Sequence, residues 1–184
     1  MRCFRPLVSM FLLVPFAGAA SAVAADFSIQ EKSDQHIDVS YKDRVILRLM
    51  TANDTSSPEA AHETYKVYAH VMDPTDPKNE RTLTKGAGSQ YTHHRGIYIG
   101  FSKANVEGVG GVDTWHMKNG VRQHYGKIVE QQVDDDSATL TVTIDWVKED
   151  QTLLSEERTF VVHKPQENGA VLIDTISEVT AVTG

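Results

Sequence analysis

The sequence predicts an all-β protein, an antiparallel β-sandwich, and three observations carry that prediction. From Asp26 onward, apolar residues recur at every second position rather than at the helical period. Turn-forming clusters interrupt these runs at short intervals, as they do in a sandwich. No stretch of about a dozen residues carries a helical apolar stripe.

The first three strands are expected over Phe27–Glu31, Ile37–Tyr41 and Val45–Met50, with Tyr41-Lys42-Asp43-Arg44 as a tight hairpin between the last two. Tyr65–Val71 and Ile97–Phe101 are each preceded by a long irregular stretch. Thr51–Thr64 is rich in Ser, Asp, Asn and Ala, and Asp73–Thr92 is punctuated by Asp73-Pro74, Asp76-Pro77, Gly86 and Gly88. Loops that long inside a compact domain are commonly functional, and the second runs straight into a histidine pair. Lys127–Val133, Thr139–Trp146, Leu154–Val162 and Val171–Glu178 complete the set, joined in part by turns at Asp134–Ser137 and Glu149–Gln151. In the clearest strand Leu140, Val142, Ile144 and Trp146 take one face and Thr139, Thr141, Thr143 and Asp145 the other, so Trp146 belongs to the core.

Composition agrees with one packed domain. The chain has 184 residues, 40% hydrophobic and 23% charged, which excludes disorder, collagen and coiled coil. Arg2 and Arg5 precede an apolar stretch from Leu7 to Ala20, and small residues follow up to Ala22-Val23-Ala24. That is the pattern of a secretory signal peptide over residues 1–24, cleaved after Ala24 or Ala25, leaving a sandwich domain over 25–184 in the periplasm or outside the cell. The apolar stretch is shorter than the roughly 20 residues a membrane span needs and is broken by Pro15 and Gly18, so no membrane association is expected after cleavage. Cys3, the only cysteine, leaves with the peptide, and with it any disulfide, thiolate ligand or cysteine nucleophile. Losing Arg2 and Arg5 makes the mature chain two charges more acidic than the −7 of the full sequence. Phosphate binding needs a basic face, so a nucleic-acid partner is not expected.

The eight histidines point to the site. Tyr91-Thr92-His93-His94-Arg95-Gly96 sets two imidazoles and a guanidinium at the mouth of a strand, before a glycine that permits close backbone approach. Imidazole titrates near neutrality and arginine grips carboxylates in a fork, so this is a proton carrier beside a clamp. If the strand has already begun there, His93 and His94 point to opposite faces and only one lines the pocket. Arg95 shares parity with Ile97, Ile99 and Phe101; drawn inward with them, it requires a carboxylate partner. Downstream, Asp113-Thr114-Trp115-His116-Met117 places an aromatic platform beside an imidazole, and Gln123-His124-Tyr125 adds a polar-aromatic group. Upstream, His62-Glu63-Thr64-Tyr65 and Tyr68-Ala69-His70 can reach the same end of the sheet. His36 and His163 read as surface residues and Asp134–Asp136 as a solvated turn. No metalloenzyme spacing is present, and no cofactor is indicated.

With these residues in place, the chain resembles the PmoA-like bacterial domains of unknown function, whose name was borrowed from a methane monooxygenase subunit. The resemblance rests on Tyr65-Lys66-Val67-Tyr68 before His70, on Thr82-Leu83-Thr84, on His93-His94-Arg95-Gly96, and on Trp115 followed by Gly126-Lys127-Ile128 and Trp146. It spans roughly Thr64 to Glu178, and its one specific motif is His-His-Arg-Gly. Two departures stand out: Gln90-Tyr91-Thr92 replaces an acidic lead into the motif, and the members run on past this length. With the strand-like run ending abruptly near Gly184, the reading is an N-terminal portion of a longer domain, or a chain that completes its sheet as a homo-oligomer. The monooxygenase activity in the name is set aside, because such subunits are membrane-embedded. The resemblance implies a setting among polysaccharide-degradation proteins and a sheet like those of carbohydrate-active enzymes.

The sequence therefore favours an exported carbohydrate hydrolase or lyase acting on a glycan or small molecule. His94 or His93 would carry the proton, Arg95 would hold an acidic or hydroxyl-rich group, Trp115 and Tyr65 would be platforms, and His70, His116 and His124 would supply polar contacts. The alternatives are a non-catalytic carbohydrate-binding or structural module, and a histidine-ligated metal-dependent oxygenase or hydrolase.

Overall fold

The computed structural model describes residues 26–149 and 151–182; the signal peptide, Cys3 and both cleavage positions lie outside them. Ten strands and one short helix follow in order: β1 (Phe27–Lys32), β2 (His36–Tyr41), β3 (Arg44–Met50), α1 (Pro58–Glu63), β4 (Tyr68–Val71), β5 (Ala104–Val106), β6 (Gly110–Val112), β7 (Val121–Val133), β8 (Ser137–Lys148), β9 (Gln151–His163) and β10 (Ile173–Ala181). One antiparallel sheet runs β1-β2-β3-β4, the other β10-β9-β8-β7, and β5 and β6 make a separate ribbon. Ile37, Val39, Leu47 and Leu49 of the first sheet and Leu140, Val142, Ile144, Trp146 and Phe160 of the second share one buried cluster. The chain is an all-β sandwich, as the alternation predicts.

Lys42 and Asp43 form the β2–β3 hairpin, both with positive φ (48° and 63°), the backbone of the turn that matches strand twist. Four expectations are corrected. Tyr65–Val71 pairs only from Tyr68, because side chains occupy the preceding backbone: Val67 N–H donates to Gln123 Oε1 and Val67 O accepts from Arg158. Ile97–Phe101 is not a strand; it meets β4 through the single bridge Ala69–Ile97, and the Thr114 hydroxyl takes the Phe101 N–H. The strand expected at Lys127 begins at Val121, which carries Gln123, His124 and Tyr125 into the sheet. Finally, α1 lies inside Thr51–Thr64. It is six residues long and buries none of them, so no apolar stripe betrays it; the Ser57 cap and Pro58 start it.

The strand expected at Val171–Glu178 is β10, and it forms one edge of the second sheet. Ile176 and Val179 are exposed on it, as is Leu172 just before it.

Candidate functional site

The site is built on loops at the β4 end of the sandwich, and glycine sets how closely they approach. A Cβ on Gly96 would lie 2.0 Å from the Ala69 carbonyl oxygen, and one on Gly100 would lie 2.7 Å from that of Thr114. Only glycine lets the segment after Arg95 lie flat on β4 and on the loop carrying Trp115. There Ile97 N–H donates to Ala69 O at 2.8 Å and Ala69 N–H returns a bond at 3.0 Å. The Thr114 hydroxyl, fully buried, ties Phe101 through both its N–H and its carbonyl.

Beneath these loops two cations are buried without a carboxylate. Arg95, 2% exposed, donates to the carbonyls of Thr92, Glu63 and His62, and its guanidinium lies 4.3 Å from the Tyr65 ring centroid. The interior position predicted from parity is found, but backbone carbonyls take the place of the expected carboxylate. Lys66, 1% exposed, donates to His93 O and Trp115 O, both at 2.9 Å, and stands 3.5 Å over the Tyr98 ring. One ammonium thus pins the two loops that carry the histidines. Burial, followed by the Arg95 charge, pulls the Lys66 amine down to about 7.

His93 and His94 lie in a turn, with His94 N–H bonded to Tyr91 O, so strand parity does not separate them. Their ring centroids are 4.3 Å apart, and His93 is 4.4 Å from His116. His94 also stacks on Tyr91. Burial, then the charges of His94, His116 and Lys66, hold His93 below the ordinary imidazole value.

The sharpest chemistry is at Asp113 and His116. The His116 ring Nδ1 lies 2.8 Å from Asp113 Oδ2, and Asp113 Oδ1 also accepts the His116 backbone N–H at 2.8 Å. A carboxylate on Nδ1 fixes the tautomer and leaves Nε2 to exchange protons. Burial works to raise the Asp113 carboxyl, but hydrogen bonds from His116 and the His116 and Lys118 charges outweigh it, and its pKa lies below the usual carboxylate value. The Asp-x-x-His spacing at 113 and 116 was the available signal for this pair. Lys66 carried no such signal, because a lysine in a β pattern reads as solvent-facing.

Trp115 separates two clefts. One, of about 550 Å³, is lined by Gly100, Phe101, Ser102, Lys103, Trp115 and His116. The other, of about 370 Å³, includes Lys85, His94, Tyr98 and Trp115. The Tyr98 hydroxyl is buried without a hydrogen-bond partner, and burial pushes it up to about 12, so it stays a protonated donor near neutrality.

The other expected contacts fall elsewhere. Tyr65 is 6% exposed, with its hydroxyl on Thr92 O and its ring against Arg95 and His62, so it is packing rather than platform. His70 is held by the Thr84 hydroxyl and the Tyr68 ring, and burial lowers its pKa. His124 sits on β7 opposite Asp145, its buried Nε2 without a partner; neither residue lines a Trp115 cleft. Among the described residues, no group of three or more His, Cys, Asp or Glu is arranged to hold a metal ion.

The sequence profile of DUF6807, a family of unknown function, matches residues 36–184. The chain belongs to DUF6807. The DUF6807 match begins with β2 and takes in every site residue named above, while β1 lies outside it. No curated protein and no solved structure matches the chain. The DUF6807 description carries neither an activity nor a link to PmoA.

Proposed function

We propose that this chain is an exported, PmoA-like protein that processes carbohydrate at the Trp115 clefts, as a hydrolase or lyase, with the Asp113–His116 pair as its proton carrier. The observation that carries the reading is His116 held through Nδ1 by Asp113 at the wall of a cleft whose other wall is Trp115. A half-buried indole suits the apolar face of a sugar ring, and an oriented imidazole beside it supplies general acid–base catalysis. His93 and His94 contact this centre through their rings and tune its charge, and the Tyr98 ring lines the second cleft. Arg95 acts from below, since one loop carbonyl and two at the end of α1 already accept its donors. Export rests on the N-terminal pattern of Arg2, Arg5 and the apolar run.

The test is turnover of a polysaccharide panel followed by product analysis. The wild-type chain should release oligosaccharides from one member. His116→Ala should abolish release, and Asp113→Asn, which leaves the ring its contact but not the charge, should lower it by about a hundredfold or more. Full turnover by His116→Ala would remove the pair from the chemistry. Binding without product by the wild-type chain would make the protein a binding module.

A further inference from the structure

Resting on that carbohydrate reading, we infer that the glycan is acidic: the Trp115 clefts recognise a sugar bearing a carboxylate.

The argument is one of local charge. The chain as a whole is acidic, with a formal net charge of −7. Under the site the balance reverses. Arg95 and Lys66 are buried there, and among the described residues neither has a carboxylate within ion-pair distance. Their compensation is five backbone carbonyls. Carbonyl dipoles satisfy hydrogen bonds but do not cancel a net charge, so the field of Arg95, joined by that of Lys66 below about pH 7, reaches the loops above them.

On the surface, Lys103 lines the larger cleft and makes no ion pair among the described residues. Three imidazoles, those of His93, His94 and His116, add protonatable positive groups. The Asp113 carboxylate is shared between the His116 ring at 2.8 Å and Lys118 at 3.8 Å. His93 senses the imbalance, since after burial three cationic charges lower it (His94, His116 and Lys66) and the one carboxylate acting on it, Asp113, ranks last. A neutral sugar would leave this field unanswered. A carboxylate held in the cleft by Lys103 would meet it, with His116 beside it as the neutral imidazole, and Trp115 would take the ring face.

A carboxylate next to the ring carbon also makes the neighbouring C–H acidic. With Lys103 neutralising the carboxylate, His116 Nε2 is placed as a base for elimination: it takes that proton, the electron pair forms the C=C bond, and the glycosidic C–O bond breaks as the leaving oxygen takes a proton from solvent water. No oxidant or reductant is needed.

Calorimetric titration of the full mature chain with polyuronide oligosaccharides (galacturonate, mannuronate and glucuronate) and with their carboxyl-reduced, neutral counterparts tests the inference. At least one acidic oligosaccharide should bind about tenfold or more tightly than its neutral partner. The preference should shrink with added salt and with Lys103→Gln, a surface substitution that leaves the fold intact. A product absorbing in the near ultraviolet, as an unsaturated uronide does, would identify elimination. Equal binding of acidic and neutral forms would overturn the acidic-sugar inference and leave the carbohydrate reading standing. Binding of neither would overturn both.

Discussion

The molecule buries positive charge in two places, and it treats them differently. In the sandwich core, Arg158 is paired with Glu156 at 2.7 Å, both with side chains fully buried; Trp146 donates to the same carboxylate, and Arg158 also reaches Val67 O. That knot is electrically closed. Far away along the chain, Lys66 and Arg95 are buried as deeply, and they donate hydrogen bonds only to carbonyls. The closed knot carries no net charge, and of its members only Arg158 acts on Lys66, behind burial, Arg95 and Asp113. The open one holds the same kind of loops in place and exposes the histidine cluster to net positive charge, which is what separates a structural element from a site.

Breaking the closed knot should have the largest effect. Glu156→Gln keeps volume but strands the Arg158 charge, and should cost about 3–5 kcal/mol of stability in chemical denaturation. Replacing Glu156 and Arg158 together by Leu and Met should cost much less, because no charge is then left unpaired. Equal losses in the two variants would mean that shape rather than charge pairing matters there.

Next in size is a pH effect confined to the open knot. Lys66 has a native value of about 7 against 10.5 unfolded, so between those values the unfolded chain binds the extra proton. Stability should therefore rise as pH increases from about 7 toward 10. Above that, Tyr98, raised from 10.0 to about 12, works in the opposite direction. Lys66→Met should change stability at pH 7 by less than about 2 kcal/mol, because two lost hydrogen bonds are offset by relief of burial. It should also flatten the rise. Denaturant midpoints at several pH values in both proteins decide this, and a slope that persists in the variant would show that Lys66 is not its source.

The same contrast explains what was readable from residues alone. The sandwich was legible because alternation is a property of side-chain parity, and Leu140, Val142, Ile144 and Trp146 all obey it. Parity also places Glu156 and Arg158 on the inner face with Phe160 and Val162, but two charges in a row of apolar neighbours read as solvent-facing until their pairing is seen. Of the site, the His93-His94-Arg95 motif, Trp115 and His116 stood out by residue type. Their convergence did not, because it depends on a turn at His93–His94 and on Gly96 and Gly100 lying against backbone. Tyr65, His70 and His124 were chosen for type and nearness in the chain, and the fold sends each to its own neighbours. Lys66 and Gln123 were missed for the reverse reason. They pin backbone from a distance of tens of residues, Gln123 bonding Val67 N–H and Ile99 O, and no local pattern marks such a partner.

The smallest effect is the most direct reading of the field. His93 is lowered by burial first and then by His94, His116 and Lys66. Lys66→Met removes one of these charges and leaves the burial, so the His93 pKa should rise part of the way toward 6.5 when followed through its ring proton resonances by NMR. Glu156→Gln should leave it where it is, because neither Glu156 nor Arg158 is among the groups that act on that ring. If His93 stays put in Lys66→Met, the ammonium does not reach the imidazoles, and the open knot is as closed to its surroundings as the one in the core. If it moves in Lys66→Met alone, the positive field originates beneath the loops, where an anion bound above them would be felt.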